Sequence, residues 1–108
     1  MKKENKDIRK VLLKLGITSN LYGYQCILTG TEVVAKGVIK VTDVYKKVYK
    51  ILNATSAGAV ERNIRHAIEI SCSKTDYLLR IYHKKPTPSV LLNDLVYNLD
   101  LFLEEIGE

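Results

Sequence analysis

The chain has 108 residues, of which 46% are hydrophobic, which is enough for one compact domain with a single core. Its apolar runs are too short to cross a bilayer and no signal-peptide pattern opens it, so we expect neither a membrane-spanning nor a secreted protein. Residues 1–85 hold 17 basic and 7 acidic residues, a net charge of +10, whereas residues 86–108 hold five acids and no base. Such a field attracts polyanions, although a solvated basic surface is common in small domains.

The first two helices are predicted from apolar residues at helical spacing. One covers residues 6–15 and stops at Gly16. The next covers about 21–35, with Ser19-Asn20 as its N-cap and Gly37 at its end. Two glycines count against the second helix, since each costs about 1 kcal/mol relative to Ala. They are Gly23 and Gly30.

The third and fourth helices are predicted over Val41–Leu52 and over about 57–74, joined by the polar connector 53–56. In the third, lysines face outward and apolar residues form the buried stripe. That stripe comprises Val41, Val44, Val48, Ile51 and Leu52. The fourth is capped by Ser56 or Thr55.

A short helix over 76–82 and a last helix starting at Thr87-Pro88 complete the chain. Leu91 and Leu101 lie off the inner stripe of the last helix, which indicates either a wide core contact or a partner surface. The sequence therefore predicts an all-α fold of about six helices in one compact bundle. Residues 1–108 form a single domain in this prediction, with no sheet.

The fourth helix carries two opposed faces. One is apolar, and the other presents Arg62 and Arg65, whose guanidinium groups match guanine edges or grip phosphates. Glu61 is predicted either to accept from a cytosine amino group or to pair with Arg65 on a solvated face. His66 is predicted either to donate to a phosphate or to lie half-buried without a role. Together with the third helix and the short connector, this outlines a helix-turn-helix DNA reader.

Other basic residues suit phosphate contacts but are equally typical of solvated loops and termini. Lys84 and Lys85 precede the last helix, where backbone N–H groups favour anions. A basic arm is predicted from Lys2, Lys3, Lys6, Arg9 and Lys10.

No catalytic, metal or cofactor site is predicted. The two histidines fit no triad or metal-ligand spacing, and no Gly-rich phosphate loop is present. Cys26 and Cys72 are predicted to be reduced, buried thiols of a cytoplasmic protein.

Several motifs resemble the C-terminal effector domain of the sporulation master regulator of endospore-forming bacteria, the stage 0 sporulation protein A family. The run Val60-Glu61-Arg62-Asn63-Ile64-Arg65-His66-Ala67-Ile68-Glu69 resembles its VERAIRHAIE recognition-helix signature. Residues 16–24 are similar to its G-[VI]-x5-GY, and Asn53-Ala54-Thr55 to its N-T-T turn. Lys85-Pro86-Thr87 with Ser89 is similar to its KPTNS.

This resemblance implies a six-helix bundle whose third and fourth helices form a helix-turn-helix. It implies binding to double-stranded promoter DNA at a short asymmetric box, often as tandem homodimeric copies, and contact with the RNA polymerase sigma subunit. By position it implies base-edge contacts for Glu61, Arg62 and Arg65. It implies a DNA-backbone or supporting contact for His66, and phosphate contacts for Ser56 and Lys85.

Three departures from the family pattern bear on this implication. The family's receiver domain is not seen in this sequence, and the lysine-rich start Met1-Lys2-Lys3-Glu4 favours a stand-alone protein over an excised domain. The connector is one residue longer, with Gly58 near the helix start. Ala59 stands where the family has an arginine that helps to read DNA, so we expect weaker binding or a changed box.

The sequence thus predicts a sequence-specific DNA-binding transcription regulator that reads a promoter box with the helix at about 57–74. The alternative is an interaction module that has lost promoter binding. Such a module acts on RNA polymerase or on the full-length regulator through the apolar last helix.

Overall fold

The computed structural model describes residues 3–107, with side chains from residue 6 onward. Within these residues the chain forms seven helices and no strand, which confirms the predicted all-α fold. The helices are α1 (Lys3–Lys14), α2 (Tyr22–Ala35), α3 (Val41–Leu52), α4 (Ala57–Lys74), α5 (Tyr77–Tyr82), α6 (Pro88–Tyr97) and α7 (Leu99–Glu105). The start of the predicted basic arm, Lys2 and the side chain of Lys3, lies outside the described residues, as do Met1 and the Glu4 side chain. None of the described helices is long and apolar enough to span a membrane.

Helix α1 ends at the glycine that the sequence indicated. Gly16 adopts a φ of +83°, a left-handed conformation that glycine tolerates without strain. Its N–H donates to the carbonyl of Leu13 (3.0 Å), and the next N–H, of Ile17, donates to Leu12 (2.9 Å). These two bonds satisfy carbonyls that the helix end leaves without partners. The apolar residues at helical spacing that predicted this helix are all buried, namely Ile8, Val11, Leu12 and Leu15.

Helix α2 begins later than predicted, at Tyr22, and its N-cap residue is Leu21 without a side-chain cap. The predicted cap Ser19-Asn20 is therefore wrong. Asn20 instead lies in the preceding turn, where its side-chain oxygen accepts from the Thr18 hydroxyl. The turn is closed by the N–H of Leu21, which donates to the Thr18 carbonyl at 3.0 Å. Local side-chain bonds of this kind compete with helix capping.

The two glycines within α2 allow neighbouring helices to approach closely. A Cβ atom on Gly23 would lie 2.4 Å from the Asn63 carbonyl oxygen of α4 and 2.8 Å from Cβ of Ala67. A Cβ atom on Gly30 would lie 3.1 Å from both terminal methyl groups of Leu92 in α6. Because α2 also packs against α3, it is the central helix of the bundle. The close packing explains why α2 forms despite the poor helix propensity of glycine.

Helices α3 and α4 have the predicted bounds and pack against each other. Val44 and Val48 are buried, as predicted, but Ile51 is 62% exposed, so its assignment to the buried stripe is wrong. Ile51 lies in the last turn of α3, and periodicity gives the direction of a side chain without showing whether a neighbouring helix extends that far. Asn53 then ends the helix in the left-handed conformation, with a φ of 55°.

The predicted last helix is interrupted, which makes seven helices rather than about six. Thr87 caps α6 by accepting from the Val90 N–H at 3.3 Å, with a proline in the first turn, as predicted. The interruption falls at Asn98, whose backbone leaves the helical region (φ −133°, ψ 43°). Its side-chain amide donates to the carboxylate of Asp94 at 2.9 Å. This bond joins two side chains one turn apart, and the backbone N–H of Asn98 still donates to the Asp94 carbonyl at 2.8 Å.

The break decides between the two interpretations of the off-stripe leucines. Leu91 in α6 is fully buried, so this part of the helix makes a wide core contact. Leu101 in α7 is 45% exposed and stays available to a partner. Helix α7 packs against α5, and the Tyr82 hydroxyl of α5 donates to Asp94 at 2.7 Å.

Candidate nucleic-acid interface

Helix α4 presents one face to the core and the opposite face to solvent, as the sequence predicted. Its inner residues are at most 1% exposed, and they are Val60, Ile64, Ala67, Ile68 and Ser71. Arg62, Arg65, His66 and Glu69 are all exposed. Because the buried side is fixed by packing, the outer side chains project from a firmly seated helix.

The position of α4 is set by its contact with α2. The Asn63 carbonyl meets α2 at Gly23, where no side chain keeps the two helices apart. The Asn63 side-chain amide donates to the carbonyl of Ala59 at 2.7 Å, so it is engaged within α4. Ala59 itself is only 7% exposed. Its methyl group therefore lies at the inner edge of the helix, one turn before Arg62.

The N-terminus of α4 is capped by Ser56, one of the two predicted caps. The Ser56 hydroxyl accepts from the N–H of Ala59 at 3.0 Å. The earlier N–H groups, of Ala57 and Gly58, belong to the first turn, where a helix supplies no carbonyl partners. Ser56 is exposed, and its hydroxyl proton remains available for a donor bond. The end of α4 thus offers N–H and O–H donors to an anion.

Glu61 and Arg65 form an ion pair one turn apart on α4. The Arg65 side chain is 56% exposed and that of Glu61 is 28% exposed. The hydrogen bond to Glu61, followed by its negative charge, raises the pKa of the Arg65 guanidinium above its usual value. Of the two roles predicted for Glu61, the structure shows the pairing with Arg65, and acceptance from a base stays a prediction.

Tyr45 of α3 lies beside this pair and was not among the predicted site residues. Burial, and then the negative charge of Glu61, raise the pKa of the Tyr45 phenol to about 12, while the positive charge of Arg65 opposes that rise. The phenol therefore stays protonated and neutral near the pair. Tyr45 directly follows the buried Val44. The apolar pattern of α3 therefore places Tyr45 at the edge of the buried stripe and gives no sign of a role in the site. Its proximity to α4 depends on how the two helices cross.

Arg62 and His66 make no ion pair within the part of the chain that the structure describes. Both are exposed, and Arg62 follows Ser56 by less than two helical turns. The alternative in which His66 lies half-buried is wrong, because the inner face is filled by aliphatic side chains. A phosphate contact for His66 stays a prediction.

Lys85 lies apart from the other candidate residues. Its positive charge acts on Cys72, where it partly opposes the rise in thiol pKa that burial causes. Cys72 is near the C-terminal end of α4, about 24 Å along the helix axis from Ser56. The structure therefore brings five candidates to the stretch from the N-cap to the middle of α4 and places Lys85 toward its other end. Cys72 is half-buried and Cys26 fully buried, and both thiols are free.

The sequence of this chain matches a family of known proteins. Residues 8–95 match the family described as the sporulation initiation factor Spo0A C terminal. A comparison with the curated proteins found no match.

Proposed function

The chain belongs to the Spo0A C-terminal family, the DNA-binding effector domain of a sporulation regulator, and from that membership we propose that it is a sequence-specific reader of promoter DNA. In this proposal α3 and α4 act as a helix-turn-helix, and the exposed face of α4 enters the major groove. One observation supports the proposal above all others. Arg62 and Arg65 project from a helix whose opposite face is fully buried.

The proposal gives each candidate residue a role. Arg62 and Arg65 donate to guanine edges, and Glu61 accepts from a cytosine amino group. His66 and Ser56 donate to backbone phosphates beside the α4 N-terminus, and Lys85 holds a phosphate farther along the duplex. The net +10 of residues 1–85 favours association with any duplex.

Tandem occupancy and contact with the RNA polymerase sigma subunit complete the proposal. They rest on family membership alone, whereas the exposed α4 face supports DNA reading directly. Footprinting on a promoter with two boxes tests the first, and capture of purified sigma subunit tests the second.

The decisive experiment compares two arginines in the full-length chain. A preferred box is first selected from randomised duplexes, and affinities are then measured by fluorescence anisotropy. Arg65→Ala should weaken binding to that box between about fivefold and about 150-fold and relax the preference at one base pair. The control is Arg80→Ala, because Arg80 is also 56% exposed and pairs with Asp76 at the same i, i+4 spacing. It removes the same charge and should leave the base preference intact.

Equal effects of the two substitutions on affinity and preference would remove Arg65 from the reading face. Lys85→Ala provides a further comparison, since loss of a phosphate contact weakens all duplexes alike. The slope of log affinity against log salt should then fall in magnitude by about one.

A further inference from the structure

A second surface lies where α2 and α6 both end. The Val34 carbonyl accepts two hydrogen bonds there, from the N–H of Gly37 at 2.9 Å and from the Tyr97 hydroxyl at 3.2 Å. Because the two donors share one acceptor, the Tyr97 side chain lies beside the turn that joins α2 to α3. We call this region the polar end of the bundle: the turn 37–40, the outer side of α3, Tyr97, and the start of α7.

Three apolar side chains of this region are exposed to solvent. Ile39 is 93% exposed and Tyr97 is 63% exposed. Leu101, four residues beyond Tyr97, is 45% exposed. Ile39 lines an open groove of about 500 Å³. Single exposed apolar residues are common, whereas several exposed apolar side chains close together are typical of a contact surface. The groove is lined by Gly37, Val38, Ile39, Lys40, Asp43, Lys46 and Lys47.

The charges of the polar end divide into two halves. Three lysines, Lys40, Lys46 and Lys47, line the groove together with a single acid, Asp43, which leaves it net basic. Within the described residues none of the three lysines forms an ion pair. On α7, Asp100 and Glu104 are exposed and likewise lack an ion pair within the described chain. Tyr97 connects the basic half with the acidic half, because its hydroxyl bonds to the last turn of α2 beside the groove and its backbone leads into α7. A polyanion fits only the first half, since the carboxylates of the second repel it.

We propose that the polar end is a contact between two copies of this chain related by a two-fold axis. In such a contact the same surface serves both copies, and each basic half meets the partner's acidic half. Ile39 of each copy enters the groove of the other, and the lysines face Asp100 and Glu104 across the axis. The contact does not rest on promoter reading. It also differs from tandem occupancy, because copies on repeated boxes are related head to tail.

Sedimentation velocity of the full chain without DNA tests the contact. The wild-type sedimentation coefficient should rise with protein concentration toward that of a dimer, and less steeply in high salt. Ile39→Ser should raise the dissociation constant at least about tenfold, as loss of a central apolar anchor does. Ile51→Ser is the matched control, because Ile51 is likewise an exposed isoleucine, at the far end of α3, and does not line the groove. It should leave the dissociation constant unchanged.

Charge exchange tests the pairing itself. A variant with Lys46→Glu and Lys47→Glu should stay monomeric, and so should a variant with Asp100→Lys and Glu104→Lys. An equal mixture of the two should form a heterodimer, because both of its contacts again join opposite charges. All four positions are exposed, so urea midpoints near that of the wild type should accompany these results.

Three results would overturn the proposal. They are a wild-type chain that stays monomeric at all concentrations, an Ile39→Ser variant that associates like the wild type, and a mixture that associates no better than its components. Affinity for a single-box duplex is measured in parallel. If the lysine variants lose that affinity while self-association persists, these lysines belong to the DNA footprint rather than to the dimer contact.

Discussion

The close crossing of α2 and α4 makes Gly23 the most sensitive position that supports the reading helix. Replacing it with alanine places Cβ 2.4 Å from the Asn63 carbonyl oxygen and 2.8 Å from the Ala67 methyl group. Real Cβ contacts essentially never fall below 3.0 Å, so the two helices must separate. The obstructing oxygen belongs to the backbone and cannot rotate away. The substitution therefore displaces α4 rather than one side chain.

Two opposing effects set the magnitude for Gly23→Ala. Inserting a methyl group into a packed contact costs about 1–3 kcal/mol, and the contact with backbone places this site near the upper value. Better helix propensity offsets about 1 kcal/mol. We expect a free energy of unfolding lower by about 2 kcal/mol.

Urea unfolding followed by circular dichroism measures the difference, provided that the slope m is unchanged. Gly58→Ala is the control, because it adds the same methyl group to α4 without a close contact. Its nearest neighbours would be Ser56 Oγ at 3.8 Å and Arg62 Nη1 at 3.9 Å. We expect Gly58→Ala to stabilise the chain by about 0.4–1 kcal/mol. If Gly23→Ala proved as stable as the wild type, the close helix crossing would be refuted.

Three further predictions concern single polar groups. Ser71 is fully buried and its hydroxyl is unpartnered among the described residues. Ser71→Ala should therefore raise the free energy of unfolding by about 1 kcal/mol or more, seen as a higher urea midpoint. A lower midpoint would reveal a missed partner. Ser56→Ala removes the α4 cap and should cost about 1 kcal/mol, whereas Ser56→Asp should retain stability. A Ser56→Ala variant as stable as the wild type would show that the cap contributes nothing. Burial raises the pKa of the Cys26 thiol from 9.0 to about 11. Between those pH values the unfolded chain loses this proton first, so stability should fall by about 2–3 kcal/mol as pH rises from 9 to 11. Cys26→Ala should lack that part of the fall, and an unchanged pH profile would contradict the assignment.

Local patterns were sufficient to predict most helices. The caps of α4 and α6 stand in the sequence as serine and threonine before the first helical residues, and α3 and α4 have the predicted bounds. The interruption at Asn98 was missed because the apolar periodicity continues past it into α7 and carries no signal for a break in the backbone. The glycines of α2 were misjudged for a related reason. Propensity counts their local cost, whereas their benefit comes from helices far away in the chain.

The candidate site shows the same division. The 3.6-residue period correctly separated the exposed arginines of α4 from its buried aliphatic side chains. It also placed Glu61 within reach of Arg65, where the structure shows the pair. The proximity of Tyr45 to that pair, and the distance of Lys85 from it, follow from helix crossing and from the path of the chain after α4. Neither is readable from local spacing.

The intrahelical pair of Glu61 and Arg65 has a consequence for how promoter variants would rank. When Arg65 turns to a base, Glu61 is left half-buried and facing polyanionic DNA unless an amino group replaces the lost guanidinium. The preferences of Arg65 and Glu61 for their bases would then be coupled. Once one of the two base pairs is mismatched, a mismatch at the other would cost less binding affinity. We therefore expect the effects of paired mutations in a box to be non-additive, so that a weight matrix of independent positions would misorder weak boxes.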